Sequence, residues 1–238
     1  MTPLFEAAVR GVSGAVQPLV FETGLTDAPY GQTATVFLVG RGQRVFAVAA
    51  RHTIAVDSLL PLCVFPGEGR RDFLPLKNVH YVPSEIFDDD FSDFVLIEVD
   101  MTAISSRLHG MARVIDLNAE MPDWHLHRDT APFVVLGYPQ CHSFVDYEDC
   151  VIHSELEALY GSYTGPAVAA YLHDLQILNR KMLPSLSGIS GGPVFNLVQR
   201  VGYRPTLALA GVVLQGSASS EIVRFLELSV IVGALDRW

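Results

Sequence analysis

From residue 19 onward the chain breaks into short apolar stretches separated by Gly, Pro, Asn or Asp, the pattern of strands joined by turns. Six such stretches come first, at 19–22, 33–39, 44–50, 60–65, 74–81 and 94–99, and Gly40-Arg41-Gly42 marks a hairpin between two of them. Six more follow at 133–138, 149–159, 175–178, 193–197, 207–214 and 224–228. Two sets of this kind predict an all-β chain of two six-stranded antiparallel β-barrels, 18–117 and 133–238, within one domain spanning 1–238. Residues 118–132 mix Met, Pro, Trp, His and Asp without a period and are expected to cross between the barrels, while 160–166 reads as a polar, aromatic loop. Residues 1–17 suit either an amphipathic segment or an extended arm. The last ten residues open on Ser229, an N-cap type of residue, and are expected to form a short helix that Gly233 weakens.

Composition agrees with a globular chain and narrows its partners. Half of the residues are hydrophobic and 18% are charged, with 16 Lys plus Arg against 26 Asp plus Glu, a formal charge of −10. No basic block interrupts that excess, which excludes the usual electrostatics of a nucleic-acid or anionic-membrane partner. No apolar run reaches the roughly 18 residues that span a bilayer. The first ten residues carry an acid and no basic cluster ahead of an apolar run, so no secretory signal is expected. Cys63, Cys141 and Cys150 form no CxxC pair and allow one disulfide at most, which fits a reduced cytoplasmic compartment.

Chemistry concentrates around Gly188-Ile189-Ser190-Gly191-Gly192-Pro193-Val194. A serine on a turn flanked by glycines exposes its hydroxyl where another chain can approach, and the backbone N–H groups of Gly188 and Ser190 could serve as donors to an oxyanion. A hydroxyl is a poor nucleophile without a base, and the base needs an orienting group. His52 follows the strand-like run Phe46-Ala-Val-Ala-Ala50, and an imidazole there has the right intrinsic basicity. Asp93 opens the apolar run Phe94-Val95-Leu96-Ile97, where an imidazolium partner would stabilise its charge. The acidic run Asp88-Asp89-Asp90 upstream reads as a solvated loop.

The order His52, Asp93, Ser190, within Ala49-Ala50-Arg51-His52, Asp93-Phe94-Val95-Leu96 and Gly188 to Val194, resembles the trypsin-like serine proteases of the chymotrypsin fold, in their bacterial or intracellular form. The resemblance implies Ser190 as nucleophile, His52 as general base and acid, Asp93 as the group orienting it, and Gly188 with Ser190 as oxyanion-hole donors, all in the cleft between barrels. It implies a substrate-binding strand at Val213, Leu214, Gln215 and Gly216, and a specificity pocket reached by Pro184 and Ser185. Pro184 stands where trypsin carries the acid that grips Lys or Arg, so small or apolar side chains are expected at the cleaved residue. Ile189 replaces the acid that zymogen cleavage locks in animal digestive members, and the family's disulfides are missing. Leu214 replaces the serine that supports the aspartate in many members.

Other candidates are weaker. His125-x-His127 has a spacing compatible with a metal but no third ligand nearby, and Cys141-His142 are sequence neighbours that point apart on a strand. The reading is therefore a serine endopeptidase acting on a peptide or protein, with no metal or cofactor and a possible regulatory partner protein. Its competitor is an inactive or latent protease-fold module that holds a peptide in the cleft or at a sheet edge.

Overall fold

A computed structural model describes residues 3–54, 62–64, 73–82, 92–104, 113–119, 122–148, 151–179, 183–199, 202–217 and 219–238. It is all-β with a helix near each end. The open question at the N-terminus resolves to α1 (Pro3–Ser13), with Phe5, Val9 and Val12 at helical spacing packed against the core.

The first half forms one sheet of seven strands: β1 (Val16–Glu22), β2 (Tyr30–Arg41), β3 (Arg44–Ala50), β4 (Leu62–Val64), β5 (Leu76–Tyr81), β6 (Phe94–Val99) and β7 (Ile115–Asp116). Its path runs β4-β1-β2-β3-β6-β5, and no pairing among the described residues closes it, so it is a half-barrel. The two-residue β7 pairs in parallel with the far end of β2. Nothing in so short a run announces a strand, and it went unforeseen. The predicted strand at 60–65 is described only over β4, and Asp88-Asp89-Asp90 lie outside the described residues, as does Cys150.

The second half closes. β8 (Phe133–Gly137), β11 (Glu157–Pro166), β12 (Leu172–Ile177), β13 (Pro193–Val198), β14 (Thr206–Ser217) and β15 (Ile222–Glu227) form a barrel in the order β11-β12-β15-β14-β13-β8. Two predictions need correction here. The run at 149–159 is two pieces: β10 (Val151–Ser154) makes a separate hairpin with β9 (Ser143–Asp146), and β11 begins only at Glu157. The expected loop at 160–166 is the second half of β11, paired with β8 and β12. Its polar residues misled because one face of the strand is wet while Leu159 is buried and Tyr163 packs on the core. Gly161 is required there because a Cβ would sit 2.8 Å from the Gln176 carbonyl oxygen.

The predicted terminal helix exists as α2 (Leu228–Leu235), buried through Val230, Ile231, Ala234 and Leu235. Its N-cap is Glu227 and not Ser229, whose hydroxyl instead donates to Glu227 Oε1 at 2.6 Å. Arg41 on β2 donates to both carboxylate oxygens of Asp236 at 2.8 and 3.1 Å, tying the C-terminal segment to the first sheet. Burial, with Glu22 nearby, pushes the Cys63 thiol up to about 11.

The three larger of four apolar clusters among the described residues make up most of the core. One lies inside the barrel, around Phe133, Leu175, Val213 and Phe225, and one on the inner face of the first sheet, around Leu19, Leu38, Ala47 and Ile97. The largest joins the two halves, packing Phe37, Phe46 and Phe94 of the sheet against Leu136, Phe195 and Leu214 of the barrel. The cleft therefore has a dry, close-packed floor, and the loops at its rim are positioned by rigid strands. Among the described residues no helix is long and apolar enough to cross a membrane.

Candidate active site

β3 and β6 are antiparallel with Ala50 opposite Phe94, so the end of one strand lies beside the start of the other. This places Arg51–Thr53, a single 3₁₀ turn, next to Asp93. The Arg51 N–H donates to the Asp93 carbonyl oxygen at 3.0 Å, and the His52 N–H donates to Asp93 Oδ1 at 2.9 Å. Asp93 Oδ2 lies 2.7 Å from His52 Nδ1. With the carboxylate accepting at Nδ1, the proton of a neutral imidazole resides there and Nε2 keeps its lone pair. Nε2 has no hydrogen-bond partner among the described residues. His52 and Asp93, 41 residues apart in sequence, are thus one unit at the rim of the cleft.

Ser190 comes from the barrel side, on the turn ahead of β13. Gly188 and Gly191 have φ of +94° and +85°, a region open to glycine, and their surroundings forbid a side chain as well. A Cβ on Gly188 would sit 2.5 Å from the Tyr138 carbonyl oxygen, and one on Gly191 only 2.1 Å from that of Thr35. The Gly191 N–H donates to the Val213 carbonyl oxygen at 2.7 Å, and Val213 returns a bond to Gly192 at 2.9 Å. The turn is pinned to β14 on one side.

Two peptides of this turn are oriented by their carbonyls. Ser187 O accepts from the Gln140 N–H at 2.9 Å, and Ile189 O accepts from the Gly192 N–H at 2.9 Å. In a trans peptide the N–H points opposite to the C=O, so the Gly188 and Ser190 N–H groups are turned away from these contacts. Neither has a protein acceptor among the described residues. Backbone donors left over at and beside a serine are one requirement of an oxyanion site, the other being that they converge on a single point.

A residue that the sequence did not single out holds the two halves in register here. Thr35 on β2 is fully buried, and its N–H donates to the Ser190 carbonyl oxygen at 3.0 Å. Its hydroxyl donates to the Gly188 carbonyl oxygen at 2.7 Å and accepts from the Tyr138 N–H at 2.8 Å. Thr35 lies opposite Pro18 in the ladder. Because its amide turns toward Ser190, the missing N–H of proline costs nothing at that position. That pairing is the one local clue, and it is legible only once the register is known.

The remaining candidates divide. Leu214 falls at a bulge in the pairing of β14 with β15, and its carbonyl oxygen accepts from Ser190 Oγ at 3.3 Å. The side chains of Val213 and Leu214 are buried, Val213 inside the barrel and Leu214 between the halves, so only their backbone faces the site. Gln215 and Gly216 are exposed. A Cβ on Gly216 would come within 3.2 Å of Leu186, giving that wall an apolar lining. Pro184 is exposed, and Ser185 Oγ accepts from the Ser187 N–H at 3.0 Å and donates to Ser187 Oγ at 2.9 Å. A cavity of about 190 Å³ opens beside Gln140, lined by Gln32, Ser143, Phe144, Val145 and Ile152.

No family model matches the sequence, and no curated protein matches it. Among solved structures, the protein Rv3671c of M. tuberculosis H37Rv, crystallised as a serine-to-alanine mutant in an inactive form, superposes with a TM-score of 0.54. The match covers 99% of this chain and 92% of that one at 15% identity. The fold is chymotrypsin-like. At this identity the likeness extends to architecture, a closed barrel and a half-barrel with a C-terminal helix, and the chemistry rests on the side chains of this chain.

His125 and His127 lie in and just after the 3₁₀ turn Trp124–Leu126, not on a strand. His125 stacks on Trp124 with ring centroids 3.9 Å apart and pairs with Glu227 at 3.4 Å. Both contacts engage it structurally.

Proposed function

We propose that this chain is a serine endopeptidase. The supporting observation is the His52 and Asp93 unit, bonded at Nδ1 and with Nε2 open, at the rim of the cleft that the Ser190 turn enters. In this reading Ser190 Oγ attacks a peptide carbonyl carbon as its proton passes to His52 Nε2. The Gly188 and Ser190 N–H groups stabilise the oxyanion. Collapse of the tetrahedral intermediate breaks the C–N bond, His52 gives its proton to the leaving amine, and water then hydrolyses the acyl-enzyme with His52 again as base.

The substrate preference we expect rests on the apolar contact of Leu186 with Gly216 and on Pro184 near it in sequence, none of which offers a carboxylate to Lys or Arg. Small or apolar side chains are therefore preferred at the cleaved residue, and strong selectivity for basic ones in a peptide panel would refute this.

One observation favours a second reading. Ser190 Oγ donates to the Leu214 carbonyl oxygen at 3.3 Å, and no hydrogen bond among the described residues joins it to His52. In a latent module the serine stays parked there and the cleft binds a peptide or partner protein without cleaving it. In the enzyme reading the hydroxyl leaves that carbonyl for another staggered χ1 well to meet the base. Fluorophosphonate labelling of the wild type, lost in Ser190→Ala, supports the enzyme. A folded wild type that takes no label while still binding peptides supports the latent module.

A further inference from the structure

Beyond the serine site, a second cluster lies on the barrel side of the Gln140 contact. His142 ends the 3₁₀ turn Gln140–His142, Glu157 opens β11, and Glu155 sits in the short link between β10 and β11. The Glu155 N–H donates to the His142 carbonyl oxygen at 3.3 Å, which keeps the link against the turn. His142 Nδ1 lies 2.9 Å from Glu157 Oε1. One ligand atom from each of the three residues falls within 4.8 Å of the others.

We propose that His142, Glu155 and Glu157 form a binding site for a divalent transition-metal ion such as Zn²⁺. Three observations converge. The donor set of one imidazole and two carboxylates suits Zn²⁺ and its neighbours, whereas Ca²⁺ takes six or more oxygens. Among the described residues the only ion pair of these groups is His142 with Glu157, so one imidazole stands against two carboxylates. The size also fits: metal–ligand bonds of about 2.0–2.2 Å set tetrahedral ligands about 3.3–3.6 Å apart. The present span closes to that with a modest swing of Glu155, which is exposed, while His142 and Glu157 are half-buried and already in contact.

The three ligands come from a turn, a link and a strand start, so the backbone already brings them together. A fourth ligand would be water, as in zinc sites with three protein ligands. The bound ion would brace the turn whose Gln140 N–H holds the Ser187 carbonyl. This departs from the expectation of a chain without metal. It does not depend on the serine reading, since every group involved lies outside His52, Asp93 and Ser190.

The test is isothermal titration of chelator-treated protein with Zn²⁺, carried out on the Ser190→Ala chain so that catalysis plays no part. One equivalent should bind, and His142→Ala and Glu155→Gln should each weaken it at least about tenfold. Glu155→Gln changes an exposed side chain in a link, so it carries the test even if His142→Ala misfolds. Absence of binding up to about 1 mM Zn²⁺ overturns the proposal, because that concentration corresponds to only about 4 kcal/mol of affinity. Unchanged binding in both variants overturns it too, by placing the ion elsewhere.

Discussion

Of the histidine–carboxylate pairs in this molecule, His52 with Asp93 and His173 with Glu227 differ most instructively in their surroundings. His52 and Asp93 meet at 2.7 Å at the cleft rim, with side chains 45% and 22% exposed. His173 and Glu227 meet at 3.3 Å within the barrel wall, 8% and 14% exposed. The second pair is saturated. Tyr163 OH bonds His173 Nδ1 at 3.0 Å, while Glu227 also takes His125 and the Ser229 hydroxyl. Trp124 packs edge-on to the His173 ring at 5.1 Å. With both ring nitrogens committed, His173 has no site left to receive a proton from a substrate. His52 has one nitrogen committed and one open. A histidine–carboxylate pair alone therefore says little about chemistry; a ring nitrogen left without a partner among the described residues sets His52 apart from His173.

The sharpest way to break this comparison is Asp93→Asn. It should lower kcat/KM by about 10⁴-fold, by the loss of the correct imidazole tautomer. It should scarcely move Tm, because ion pairs as exposed as this one contribute about 0–1 kcal/mol. A collapse in stability without a kinetic phenotype would assign the pair a structural role instead. Next in size is Gly188→Ala, which needs an unfavourable φ and a Cβ 2.5 Å from the Tyr138 carbonyl oxygen. Displacing that donor should cost about 10²–10³-fold in kcat, and unaltered turnover would remove Gly188 from the oxyanion site.

Glu227→Gln should give the opposite result. Fluorophosphonate labelling of Ser190 should proceed as in the wild type, while denaturant melts should show a loss of about 1–3 kcal/mol from the partners left unsatisfied. If labelling fell in parallel with stability, the two pairs would not be independent.

The smallest effect is in the acid limb of stability. The His173 contact first, then Ser229 and His125, hold the Glu227 carboxyl down to about 2 from its ordinary 4.5. A depressed carboxyl contributes fully above the unfolded value and loses that contribution as protons bind, so stability should decline from about pH 4.5 toward 2. Glu98, bonded to Arg44 and Asn78, is held to about 2 as well and shares the slope. Glu227→Gln should therefore flatten the decline without abolishing it. Urea midpoints measured across this range would show an identical slope in both proteins if Glu227 carried none of it.

What could be read in advance follows from range along the chain. The β14 core and the glycine turn around Ser190 were legible because apolar runs and the need for positive φ are properties of a few consecutive residues. The loop expected at 160–166 failed for a related reason. A barrel strand with one wet face shows Ser162 and Thr164 outward, and only the partners β8 and β12 reveal it as a strand. Ser229 does not take the N-cap position expected of it because β15 runs straight into α2, which puts Glu227 there without a side-chain cap bond.

The sequence by itself determined that this is a strand-built chain carrying a serine on a glycine turn, with a histidine and an aspartate each at the end of an apolar run. Local chemistry is enough for that. Only the tertiary structure decided that Asp93 takes His52 Nδ1 and leaves Nε2 without a partner among the described residues, that Thr35 reaches 153 residues along the chain to hold the Gly188 carbonyl, and that the Leu214 carbonyl, at a bulge, meets Ser190. Those facts depend on strand register and on the packing of one half against the other, and no window of consecutive residues contains them.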